Sequence, residues 1–295
     1  MMRTVMVAVT GGKGGTGKST IAVNLAAALA EDEDLLLADL DVEGPSDHIL
    51  LGTPLKDEEP INIMLPIVRY QACTRCGICA QVCDTGAIIT SSDGLPVIIP
   101  RLCSGCRSCY LACPANAIEE GMRTIGYTYR TEVALDGDGR SLRLVTGMLR
   151  EGEEHTPPAV IATRRRAFSE RADIYLVDTA AGTSNTVATA MEGAKLAIVV
   201  TEPTPLGASD LEMILEVADR MGIEPWIVIN RHGIGSDDLI EEVARRRGSR
   251  IVSRIPYSRE VVDSYVRGRP IVLARPDSEP SAALRELAAL IRGSA

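Results

Sequence analysis

The chain has 295 residues, is 45% hydrophobic and carries a formal net charge of −9. That length can bury one large core and still leave room for a small insert. The acidic balance and 3% aromatic content argue against a nucleic-acid binder, and no apolar run approaches the roughly twenty residues of a membrane span.

Met1-Met2-Arg3 leads straight into a strand-like Thr4–Val9, with no signal-peptide pattern. Val5–Val9 reads as a short buried strand, and Ile21–Ala30 reads as a helix. Between them lies Gly12-Lys13-Gly14-Gly15-Thr16-Gly17-Lys18-Ser19. Strand, glycine loop, lysine, hydroxyl, helix is the order of a phosphate-binding loop. The expected nucleotide contacts are Gly12, Gly14, Gly15, Thr16, Gly17, Lys18, Ser19 and Thr20. Backbone N–H groups there converge on phosphate oxygens at a helix N-terminus. Lys18 is expected on the β- and γ-phosphates and the Ser19 hydroxyl on Mg²⁺. Gly12, Gly14 and Gly17 also spell G-x-G-x-x-G, with Asp39 where a ribose-binding acid would stand. Lys18-Ser19 and the Asp39-Leu40-Asp41 doublet favour the phosphate loop over a dinucleotide turn. Leu35–Asp39 reads as the second strand, and strand-end capping is the bland alternative for Asp39 and Asp41.

The eight cysteines fall in two copies of one spacing, C-x-x-C-x-x-C-x-x-x-C. They are Cys73, Cys76, Cys79 and Cys83, then Cys103, Cys106, Cys109 and Cys113 before Pro114. This is the ligand run of a two-cluster bacterial-type ferredoxin, in which the fourth cysteine of each run reaches the other cluster. By that rule Cys73, Cys76, Cys79 and Cys113 hold one [4Fe–4S] cluster. Cys83, Cys103, Cys106 and Cys109 hold the second. Zinc sites pair C-x-x-C knuckles without a third cysteine at the same step, and disulfides need an oxidising compartment. Thiols kept as ligands imply a reducing, cytoplasmic location. The resemblance to bacterial-type ferredoxins covers Ile67 to Glu120, and Asp84 stands where that pattern has proline.

Further along, Tyr127–Val133 and Ser141–Val145 flank Asp136-Gly137-Asp138-Gly139, a hairpin signal. Thr156–Arg171 reads as a helix, and the apolar strand after Asp173 ends at Asp178. Helices are expected at Thr183–Glu192, Gly207–Met221, Ser236–Arg247, Ser258–Arg267 and Ser281–Ile291, alternating with strands at Leu196–Thr201 and Trp226–Arg231. Such alternation implies a parallel sheet with helices on both faces. Arg164-Arg165-Arg166 and Arg245-Arg246-Arg247 are expected to be solvated helix faces. The last helix aligns Leu284, Leu287, Leu290 and Ile291, is poor in basic residues and is expected to pack on the sheet. Trp226 is expected in the core, and His48, His155 and His232 show no ligand spacing.

Lys13-Gly14-Gly15-Thr16-Gly17-Lys18-Ser19 resembles the deviant Walker A loop of the MinD/ParA/Mrp/nitrogenase-iron-protein class of ATPases. Asp39–Ser46 looks like that class's first switch, Asp173–Gly182 like its Walker B strand and second switch, and Ile255–Ser258 like its later nucleotide-edge loop. The resemblance implies an α/β P-loop NTPase with a mostly parallel sheet. Its ATPase part is residues 1–66 and 120–295, interrupted by an α+β ferredoxin domain at 67–119. It implies ATP/ADP, Mg²⁺ and two [4Fe–4S] clusters as cofactors. Lys13 is then expected to reach across a dimer, and Asp39 and Asp178 to hold Mg²⁺. Asp41 would position or activate the attacking water, and Gly182 would offer its N–H to the γ-phosphate. Asn230 would read adenine, and Pro256 would edge the nucleotide; a turn and a strand end are their simpler roles.

Three functions follow as expectations. The first is an ATP-gated electron-transfer protein, working as a homodimer or with a paralogous ATPase and passing electrons to a client. The second is an accessory ATPase for metallocofactor or iron–sulfur cluster assembly. The third is a redox-sensing positioning ATPase of the MinD/ParA kind. No cysteine is left over for a bridging cluster like that of the nitrogenase iron protein. Neither nucleic acid nor membrane is expected as a partner.

Overall fold

The computed structural model describes residues 4–135 and 140–294. Residues 136–139, on which the hairpin signal falls, and residues 1–3 and 295 lie outside that set. The strands are β1 (Val5–Thr10), β2 (Leu35–Asp39), β3 (Glu59–Val68), β4 (Ile88–Thr90), β5 (Pro96–Ile98) and β6 (Ile118–Leu135). They continue as β7 (Arg140–Leu149), β8 (Ile174–Asp178), β9 (Leu196–Thr201), β10 (Glu224–His232) and β11 (Arg250–Pro256). Among the described residues a nine-stranded sheet runs β11-β10-β9-β1-β8-β2-β7-β6-β3. From β11 to β7 neighbours are parallel; β6 and β3 add antiparallel pairs at one edge.

The central strands are apolar on both sides because helices cover both faces. Val5, Val7 and Val9 of β1 face a layer containing Lys18–Leu29 and Glu279–Ser294, together with Leu196, Ile198 and Val200 of β9. The alternate residues Ala8, Ala197 and Val199 face helices Pro205–Met221 and Asp238–Arg247. Helix Thr156–Ala167 covers Leu36, Ala38 and Val177 on that same side. Trp226 is buried, and the last helix buries Leu284, Leu287 and Ile291 against the sheet layer. No helix among the described residues is long and apolar enough to cross a membrane.

Several boundaries differ from the sequence expectation. The segment Tyr127–Val133 lies in the second half of a much longer β6, and Ser141–Val145 toward the start of β7. β3 was not anticipated at all. It carries Pro60 and Pro66, and proline is tolerated in sheets chiefly at an edge, which is where β3 lies. A register shift beside Ile125 bulges β6 within the β3–β6 ladder. The first arginine triplet is not a solvated face: Arg164 donates to the carbonyls of Thr189 and Ala190 at 2.6 and 2.8 Å, and Arg166 to that of Thr128 at 2.6 Å. In the second triplet, exposed Arg246 and half-buried Arg247 pair with Glu212.

The cysteine segment, residues 69–117, leaves the sheet at the end of β3 and returns at the start of β6. Val68 pairs with Ile118 at this junction. The segment holds the β4–β5 pair and the short helices Ile78–Gln81 and Ser108–Ala112. Its own small core joins Ile88 and Cys109 to Met64 and Ile118 of the flanking strands.

Leu287→Ala should destabilise the fold by about 2–5 kcal/mol, because it opens a cavity under a fully buried side chain. A drop in the urea midpoint with unchanged slope checks this. Unaltered stability would mean the last helix is not part of the core.

Candidate functional site

The glycine loop joins β1 to helix Lys18–Leu29 at the C-terminal end of the parallel strands. Gly17 sits at φ 92°, and a Cβ there would lie 2.3 Å from Asn230 Nδ2, so only glycine fits. Asn230 Nδ2 donates to the Thr16 carbonyl at 2.7 Å, and Arg231 Nη2 donates to that of Gly15 at 2.8 Å. The end of β10 thus braces the loop from outside. Lys18 Nζ donates to the Lys13 carbonyl at 3.2 Å. Burial lowers the Lys18 pKa, opposed by the charges of Asp178 and Asp41.

A cavity of about 460 Å³ opens over the loop, within the size range of small-molecule sites. Gly14, Gly15, Gly17, Lys18, Ser19, Thr20 and Asp41 line one side. Asn230, Pro256, Tyr257, Val261 and Tyr265 line the other. Three expected contacts sit off the cavity wall. Gly12 packs against the Asp210 backbone, Thr16 is buried, and the Gly182 N–H donates to the Gly11 carbonyl at 3.1 Å. Lys13 turns sideways within its own chain and donates to Glu202 Oε1 at 2.8 Å. Glu202 also accepts from Arg231 at 2.9 Å.

Beneath the loop, Asp39, Asp47 and Asp178 bring carboxylate oxygens within 4.8 Å of one another, all fully buried. Asp39 accepts the N–H groups of Ser46 and Asp47 at 2.9 and 3.1 Å. Neither carboxylate oxygen of Asp47 has a hydrogen-bond partner among the described residues. Burial pushes the Asp178 carboxyl up to about 7. Burial and then the Asp178 charge raise Asp39; burial and then the Asp39 charge raise Asp47. Three packed like charges need protons or a cation between them. An all-oxygen donor set suits a hard divalent ion such as Mg²⁺. Sequence reasoning missed Asp47. It stands eight residues after Asp39, and only the loop's path back to a short helix at Asp47–Leu50 brings the two together.

None of the eight cysteines is in a disulfide. Cys73, Cys76, Cys79 and Cys113 line one cavity beside Val68 and Ile118. Cys83, Cys103, Cys106 and Cys109 line a second, beside Met64 and Pro66. Burial raises the thiol pKa of Cys79 and Cys103, and takes Cys109 to about 11, whereas the Ser108 hydroxyl lowers that of Cys106. Raised thiols stay protonated unless a cation claims the sulfur. Two soft four-sulfur donor sets fit iron–sulfur clusters chemically.

The acid trio makes a pH prediction. A carboxyl whose folded pKa is raised binds protons in the native state that the unfolded chain has already lost. Without Mg²⁺ and nucleotide, stability therefore falls as pH rises from about 4 toward 7, through the Asp178 value. Thermal unfolding across that range should show the slope. Asp47→Asn should flatten it, and MgADP should suppress it; an unchanged slope in the variant would remove Asp47 from the coupled set.

A family model for the CobQ/CobB/MinD/ParA nucleotide binding domain matches residues 7–271. The uncharacterized protein MJ0579 of Methanocaldococcus jannaschii is 35% identical over 269 residues, 91% of each chain. The iron-sulfur cluster carrier protein of Aquifex aeolicus is 24% identical over 97% of this chain and 66% of its own length. The crystal structure of the cell division ATPase MinD of Pyrococcus furiosus superposes with a TM-score of 0.63 at 20% identity, covering 100% of both chains. Together with the strand–glycine loop–helix site and the sheet order, these matches make the chain a member of the CobQ/CobB/MinD/ParA family of nucleotide-binding proteins.

Proposed function

We propose that this chain is a Mg²⁺-dependent ATPase carrying two [4Fe–4S] clusters, and that nucleotide-driven dimer switching controls electron transfer to a partner. One observation carries the proposal. The edge strands of the nucleotide sheet, β3 and β6, run directly into the segment where eight cysteines surround two cavities. A glycine loop and a cysteine-rich segment joined through one sheet support coupling of the two. Residues 1–66 and 120–295 are the ATPase part, and 67–119 the ferredoxin insert.

The residues take these roles. The backbone of Gly14–Gly17 and Lys18 hold the β- and γ-phosphates, and Ser19 and Thr20 open the helix beneath them. Ser19, Asp39 and Asp178 hold Mg²⁺, which supplies charge neutralisation when bound. Asp41, on the cavity wall, orients the attacking water. Lys13 leaves Glu202 and reaches a partner's nucleotide when two chains meet, and the partner is a second copy or a paralogue. Gly182 releases Gly11 and turns its N–H toward the γ-phosphate. Asn230 and Pro256 border the base. The clusters supply one-electron storage, and the cysteines fix their position. The location is cytoplasmic.

A second function, supply of electrons for metallocofactor assembly, is favoured by the likeness to the Aquifex aeolicus iron-sulfur cluster carrier protein. Transfer of labelled iron to an apo-client separates it from electron delivery alone.

Anaerobic reconstitution should give about eight irons per chain, two cubanes' worth. Bound zinc, or fewer than about six irons, contradicts the cluster assignment. Lys18→Ala should abolish nucleotide binding in calorimetry. Asp41→Ala should bind normally and lose turnover by roughly 10²-fold or more, the scale of a positioned catalytic group. Full turnover in Asp41→Ala would refute its role.

A further inference from the structure

Arg123 lies on β6 opposite Ile63, between the cysteine segment and the nucleotide sheet. Its guanidinium donates to the Cys103 carbonyl at 3.4 Å. It also pairs with Glu153 and comes within 3.5 Å of His155 Nδ1. Glu153 is 7% exposed. It accepts the His155 N–H at 3.1 Å and is bonded to the His155 ring. Burial pushes the Glu153 carboxyl up, but the Arg123 and His155 hydrogen bonds outweigh that and hold it at about 2. It is therefore a carboxylate, and the pair is charged.

His155 leads into helix Thr156–Ala167, and the Thr156 hydroxyl donates to Glu43 Oε1 at 2.8 Å. Glu43 belongs to the loop after β2 that carries Asp41. The same loop is held a second time. The Leu149 N–H donates to the Val42 carbonyl at 2.8 Å, and the Arg150 N–H to that of Ile125 at 2.9 Å. Ile125 lies at the β6 bulge, two residues from Arg123. Gly147 permits this approach: a Cβ there would sit 2.0 Å from Thr163 Oγ1 and 2.7 Å from Val42 Cγ1. A continuous path thus runs from the Asp41 loop through Thr156, His155, Glu153 and Arg123 to the backbone of Cys103.

The path reaches one cysteine site and not the other. Cys103 lies by the Met64 carbonyl, its Sγ at 3.8 Å, whereas the other cavity lies at Val68, four residues and roughly 13 Å further along β3.

We propose that Arg123 is the positioning residue through which nucleotide occupancy sets the reduction potential at the Cys83/Cys103/Cys106/Cys109 site. This rests on the two-cluster function above. Reduction of such a site adds one electron to the cluster and its thiolates, with no bond formed or broken. A nearby guanidinium stabilises the added negative charge, and its pairing with Glu153 decides how much of that field the site feels. Movement of the Asp41 loop, passed through Thr156, alters the pairing. By linkage, reduction must change nucleotide affinity by the same factor.

The test is an EPR-monitored redox titration of the full, anaerobically reconstituted chain, with dithionite as the one-electron donor, with and without MgATP. Iron content is measured first. Two couples are expected, with MgATP moving one of them. Arg123→Gln should lower that couple by about tenfold in its reduction equilibrium, roughly 59 mV for one electron, leave the other in place and abolish the MgATP shift. Arg123→Lys should keep most of the resting potential yet lose the shift, because its single ammonium cannot hold the planar pairing. Thr156→Val should keep both resting potentials and lose the shift; it also carries the test if Arg123→Gln loads poorly. A fully loaded chain whose MgATP shift survives in Thr156→Val and Arg123→Lys overturns the role of Arg123 and leaves the two-cluster function standing. So does a wild type in which MgATP moves neither couple. A chain that takes up no iron overturns both, and the metal assay shows this before any titration.

Discussion

The antiparallel ladder between β3 and β6 is the constraint on which the rest depends. Cross-strand hydrogen bonds are short-ranged and directional, so β3, paired along its whole length to the first part of β6, moves with it as one ribbon. One end of this ribbon is stitched to β7 and so to the parallel sheet that carries the glycine loop. The other end carries the cysteines. The small segment has little core of its own beyond Ile88, Cys109 and the strand residues Met64 and Ile118. Its geometry is therefore inherited from the sheet, and bound clusters would add the rest of its cohesion.

The nucleotide end stores electrostatic tension in the opposite sense. Asp39, Asp47 and Asp178 lie together fully buried, and burial pushes each carboxyl toward its neutral form. A divalent ion removes that conflict, so binding and local order are coupled. Lys13 sits in a cis pairing with Glu202, and Arg231 shares the same carboxylate. The two cations hold different oxygens of that carboxylate, so releasing Lys13 still leaves Glu202 a partner. That lowers the cost of freeing the lysine, since no carboxylate is left buried and unpaired.

Much of this was legible in the sequence where the signal is local. The bounds of β2 and β9 match the apolar runs Leu35–Asp39 and Leu196–Thr201, because a buried parallel strand is a continuous hydrophobic segment. The glycine loop was legible because Gly17, Lys18 and Ser19 carry their chemistry in residue type. What was hidden depends on distant chain segments meeting. β3 was hidden because its prolines and mixed polarity spoil the pattern of a strand, and only an edge position tolerates them. Asp47 was hidden because a loop had to bend it under Asp39. Arg123, Glu153 and His155 were hidden because 30 residues separate the arginine from its acid, and nothing in either stretch announces a pair.

Pro60 and Pro66 have one more effect. Six positions apart on the outermost strand, they remove two N–H groups that an edge could otherwise offer to a foreign strand. The margin is thus capped against growth. A foreign strand laid along that margin would meet two positions with no N–H to offer.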